Sequence, residues 1–201
     1  MDKQFTVRSD TYATNQGQII LNPIVWFENN IPEVVILSTS LILSICSLVF
    51  IGKGFGFLAL LLIFVNVFYW KRKKEHFRYG DTNGGVIVSV NPNLLAVKTD
   101  LSSGFGNYPV FKIIPYKKKC RIGDRIVTVS LYTSSSKEDC PYWVDFDPIP
   151  ITYATKNPKE IELALSRIEE EQWFNLETSL GQIQRPYKEG LYRIEDGTSN
   201  W

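Results

Sequence analysis

Two apolar runs stand next to each other early in the chain. Val34 to Ile51 carries no charge, and neither does Phe57 to Trp70. A glycine-rich turn, Gly52-Lys53-Gly54-Phe55-Gly56, separates them, and the second run ends abruptly in Lys71, Arg72, Lys73 and Lys74. At about 1.5 Å per residue the first run reaches roughly 27 Å and the second, counted from Phe55, roughly 24 Å, against about 30 Å of hydrocarbon, a shortfall that thinning and snorkelling cations absorb. The pattern predicts a transmembrane helical hairpin over residues 34–70. Trp26 and Trp70, with Phe27 and Tyr69, are expected at the headgroups, where amphipathic rings settle. Asn66 falls level with Ile42 if the helices turn at Gly54, so a bond to Ser40 or Ser44 is expected to hold the pair together.

Past the basic cluster the period changes. Residues 85–90, 94–99, 109–116 and 125–132 read as short strands, with a fifth near 149–153. Four or five closely spaced antiparallel strands predict a small barrel or a strongly curled sheet. Asn157-Pro158-Lys159-Glu160 has the marks of a helix start, and Ile161, Ala164, Leu165, Ile168, Trp173 and Leu176 recur at helical spacing. One amphipathic helix is therefore expected over 157–180, stopped by Gly181. The predicted class is α+β: a transmembrane hairpin followed by a small antiparallel β-barrel-like domain with a C-terminal amphipathic helix. Its parts are a polar or interfacial segment (1–33), the hairpin (34–70), a basic linker (71–82) and the β-rich domain (83–201), which ends in an extended tail.

The net charge of the 201 residues is only +1, but it is unevenly placed. Residues 71–125 hold 12 Lys/Arg against 4 Asp/Glu, and residues 126–201 hold 7 against 13. The cations after the hairpin, Lys71 to Lys74 and Arg78, outnumber the lone Lys53 of its turn, which places both termini in the cytoplasm of a two-helix protein of the cell membrane. Lys117, Lys118, Lys119, Arg121 and Arg125 extend the positive character and are candidates to contact anionic lipid headgroups. A nucleic acid or another anionic ligand is the less favoured occupant of that stripe.

Candidate chemistry is sparse. His76 is the only histidine, so neither a serine triad nor a histidine metal site is expected. Cys46, Cys120 and Cys140 have no zinc spacing. The cations beside Cys120 are expected to lower its thiol pKa. Trp143, Asp145 and Asp147 share one loop and offer the alternative of an enzyme pocket, although covering an open barrel end is the simpler role for Trp143. No catalytic residue, cofactor or metal is assigned, and the balance leans away from an enzyme.

Gly85-Val86-Ile87-Val88, Leu95-Ala96-Val97-Lys98-Thr99-Asp100, Tyr108-Pro109-Val110, Ile122-Gly123-Asp124, the Trp143 to Pro148 loop and Pro186 to Tyr192 carry a resemblance over about 83–192 to a bacterial membrane-anchored family of unknown function. The architecture is also similar to membrane proteins that append a small OB-like barrel to transmembrane helices and are thought to act as assembly partners. These resemblances imply a noncatalytic interaction module at a bilayer, with a protein partner or self-association.

Overall fold

The computed structural model describes residues 13–50, 56–103, 107–134 and 140–194. The turn at Lys53 lies outside them. Helices α1 (Pro23–Asn29) and α2 (Ile31–Phe50) meet at an elbow of 114°, and α3 (Gly56–Tyr79) returns along α2. Asn22 starts α1 by accepting the amides of Ile24 and Val25, and Pro23 supplies a ready helical φ. Among the described residues no single helix is long and apolar enough to cross a membrane; α1 together with residues 31–47 meets that test only as a bent pair. The uncharged part of α3 ends at Trp70, after about 22 Å of rise.

The expected basic linker is helix. Residues 71–79 continue α3 without a break, because His76 and Phe77 are buried against the sheet, at 2% and 0% exposure. Strand β1 (Asp81–Val90) follows after Gly80. A Cβ at Gly80 would lie 2.6 Å from the His76 carbonyl oxygen and 2.7 Å from that of Ser130, so the corner admits only glycine.

Strands β2 (Asn93–Asp100), β3 (Pro109–Pro115), β4 (Arg125–Thr133), β5 (Asp145–Pro150) and β6 (Gly190–Arg193) complete one antiparallel sheet in the order β5-β4-β1-β2-β3-β6. It is a six-stranded half-barrel: β5 and β6 share no ladder, so the closure expected from sequence is not made by backbone. Curvature instead brings Lys112 of β3 to β5, where its Nζ donates to both Asp145 carboxylate oxygens at 2.9 Å and to the Phe146 carbonyl. The sixth strand comes from the tail, which pairs with β3 from Val110↔Arg193 to Ile113↔Gly190.

Alternation along the strands gives the sheet two covered faces. Leu95, Val97, Ile87 and Phe146 fill the concave one, each fully buried. The other receives α3 beside Val129 and Trp173 against Gly84. Residues 16–21 lie along the domain as an added segment, after a turn at 14–15 and with Gln18 at φ 52°. Gly17, Gln18 and Ile19 donate to the carbonyls of Gly80, Arg78 and Phe77, and Ile19 and Leu21 are buried.

The single helix expected over 157–180 is two helices, α4 (Pro158–Ser166) and α5 (Glu170–Ser179). The break has a cause at each side. Arg167 turns away to donate to the carbonyls of Gln16 and Gly17, at 3.0 and 2.9 Å. Glu169 then opens α5 through a reciprocal capping box with Gln172.

Candidate functional site

Strands β1 and β2 pair from Val90↔Asn93 only as far as Gly85↔Val97. Beyond that level β1 stays with β4 down to Asp81↔Ser130, and β2 stays with β3 out to Asp100↔Pro109. The two central strands therefore splay. A cavity of about 430 Å³ occupies the gap, roofed by Ile168, Gln172, Asn175 and Leu176. That volume lies within the range of small-molecule sites.

The floor of the cleft is polar. Tyr132 Oη bonds Asp81 Oδ2 at 2.9 Å and Thr99 Oγ1 at 2.7 Å. Asn83 Nδ2 donates to Asp81 Oδ2 at 3.1 Å and to Thr99 Oγ1 at 3.3 Å, and the Asn15 amide donates to Asp81 Oδ1 at 3.3 Å. Burial pushes the Asp81 carboxyl above the usual carboxylate range, against the opposing pull of these hydrogen bonds. Burial likewise pushes the Tyr132 phenol up, helped by the nearby Asp81 charge. Among the described residues that line the cleft, two buried side-chain atoms have no protein partner: Asn83 Oδ1 and Thr82 Oγ1. Lys98, at the wall, is turned to α5, where its Nζ donates to Ser179 Oγ at 2.8 Å.

Sequence reading missed this cleft. Asp81 and Thr82 fell within the expected linker, and Tyr132 looked like one more strand position. The legible signal was a polar run, Asp81-Thr82-Asn83, where a central strand should be apolar. Knowing that Thr99 and Tyr132 join it requires the register.

The expected residues are placed differently. Asp145 is tied to Lys112, Asp147 is exposed, and the two do not converge with a third polar group. Trp143 lies tilted against Tyr132, with ring centres 6.1 Å apart, and its amide donates to the Leu101 carbonyl at 2.7 Å, so it covers one end of the sheet. Cys120 is shifted up by burial and Asp124, not down by its cationic neighbours. Among the described residues no three His, Cys, Asp or Glu side chains cluster as a metal site would require.

Of the cation stripe, Lys117 Nζ donates to Asn29 O at 2.8 Å and to Asn30 Oδ1 at 2.9 Å. Lys118 donates to the Thr152 carbonyl. Arg125 pairs with Glu170 and Glu177 and lies over the Trp173 ring. Lys119 and Arg121 are exposed. Lys71, Arg72 and Lys74 are also exposed on α3, whereas Lys73 lies 5.0 Å over the ring of Trp26. Trp26 itself is 2% exposed: it donates to Tyr69 Oη at 2.8 Å and sets its edge on Phe77, so it belongs to the core and not to an outer belt. Trp70 is half-buried against the same core. Asn66 does bond across the hairpin, but to Leu37 O at 3.3 Å, more than a turn from the level expected.

The fold and cleft define an α+β half-barrel domain in contact with a helical pair. The chain belongs to the family described as proteins of unknown function, DUF3239, whose model matches residues 70–184, more than half of the chain. No curated protein matches it. A crystal structure described as that of "a putative membrane protein from Corynebacterium diphtheriae" is similar at 22% identity and a TM-score of 0.49, over 57% of this chain and all of that one.

Proposed function

We propose that the protein is a membrane-anchored interaction module in which α2 and α3 form the anchor and the half-barrel carries the function on the cytoplasmic side. The observation that carries this reading is the apolar surface of the helical pair. Ile36, Ile42 and Leu43 on α2, and Phe57, Leu60 and Phe64 on α3, are each at least 59% exposed. Soluble monomers rarely expose an apolar area of that extent, and a bilayer is the solvent that suits it. Only Lys53 interrupts residues 34–70, and cations with Tyr69 and Trp70 stand at the exit.

The base of the pair is gripped by the domain. Tyr69 Oη accepts from Trp26 and donates to Glu33 Oε2 at 3.0 Å, while Lys117 closes the end of α1. Lys119 and Arg121 follow Lys117 in sequence, and with the exposed Lys71, Arg72 and Lys74 they are the cations we assign to anionic headgroups. The cleft lies at the opposite end of β2, about 23 Å away at strand rise, and would face the cytoplasm. Alkaline carbonate extraction of native membranes tests the anchor: the chain stays in the pellet, and release into the supernatant overturns the proposal. A cytoplasm-active reporter fused after Trp201 tests orientation, and an inactive fusion reverses it.

A further inference from the structure

The cleft between the splayed ends of β1 and β2 is a built site, independent of the anchor. It combines a half-buried carboxylate, a hydroxyl pair and two buried polar atoms that nothing in the fold satisfies. Buried polar atoms without partners are rare, because each costs its full desolvation. Asn83 is 8% exposed, and its orientation follows from its neighbours: Asp81 only accepts, so Nδ2 faces it and Oδ1 is left as an acceptor.

The unmet groups define what fits. Asn83 Oδ1 calls for a donor and Thr82 Oγ1 is able to accept one, while the Asp81 carboxylate, which already accepts from Tyr132, Asn83 and Asn15, has its charge left without a counter-ion. Among the described residues no cation pairs with Asp81, and Lys98 is committed to Ser179 and the Asn175 carbonyl. Leu176, Ile168 and Pro109 supply apolar wall for an aliphatic stem. We propose that this cleft binds a small organic cation with several N–H donors, an amine or guanidinium on a short apolar chain. Its charged head meets Asp81, and a further N–H satisfies Asn83 Oδ1.

The test uses the full chain in detergent micelles, titrated calorimetrically with agmatine and, separately, with glucose as a neutral polyol. Wild type is expected to bind agmatine saturably and in preference to glucose. Asp81→Asn keeps the shape and removes the charge, and should weaken agmatine by about tenfold or more. Asn175→Trp, at an exposed position on the rim, blocks the mouth without touching the floor and should abolish binding. Circular dichroism establishes that each variant is folded. No saturation in wild type, tighter binding of glucose than of agmatine, or unchanged affinity in a folded variant each overturns the proposal.

Discussion

His76 gives the fold a pH-sensitive point. Burial pulls its pKa down to about 4, and its neutral ring donates from Nε2 to Val129 O at 2.8 Å. Above the ordinary value of about 6.5, folded and unfolded chains both hold it neutral, and its contribution is complete. As the pH falls from 6.5 toward 4, the unfolded chain takes a proton that the folded one refuses, so stability is lost across that window. The loss is about 2 kcal/mol at pH 5 relative to pH 7. Denaturation of the full chain in detergent at the two pH values should show it, and His76→Phe should remove that part of the difference. Gly84 is the second telling residue. A Cβ there would lie 2.9 Å from the Trp173 ring, whose position Arg125 also fixes. Gly84→Ala should cost about 1–3 kcal/mol, read as a lowered melting temperature. Neither role was legible in advance. A lone histidine among cations looks solvated until the helix that carries it is known to continue, and Gly84 looks like turn chemistry until a helix lands on it.

Among the elements, strand and helix starts were the most legible, because Asn157-Pro158 and the β-branched runs act locally. What competes over distance was not. Helix α3 overruns the expected end at Trp70 because Phe77 and His76 have a sheet to dock on. The helix expected over 157–180 breaks because Arg167 finds carbonyls 150 residues away in sequence. The elbow between α1 and α2 depends on such a contact too. Lys117 donates into the end of α1, and Lys156 pairs with Glu28. Lys117→Met should loosen the elbow by about 1–2 kcal/mol. Hydrogen exchange should quicken over residues 23–31 while the sheet stays protected; unchanged exchange there would show that the elbow holds without this clamp.

For the whole molecule, the sequence pattern conveyed the α+β class with an antiparallel sheet. It did not convey that the helical pair and the sheet share one core. Trp26 illustrates why: an aromatic residue ahead of an apolar run suits a headgroup belt and a core equally, and only Phe77 and Tyr69 decide between them. The openness of the sheet was hidden for a similar reason, since a ladder between β5 and β6 depends on curvature and not on any local motif. The cleft arises from the splay of β1 and β2, which is a property of register.

The central claim is that the helical pair lies in a bilayer, and Cys46 reports on it directly. The side chain is on the surface of α2, reachable by solvent if no membrane covers it. With Cys120→Ser and Cys140→Ser, Cys46 becomes the only thiol. A membrane-impermeant maleimide applied to sealed native membranes and to broken ones should leave Cys46 unmodified in both, with labelling only after denaturation in SDS. Labelling of Cys46 in broken but undenatured membranes would place α2 in water and contradict the anchor.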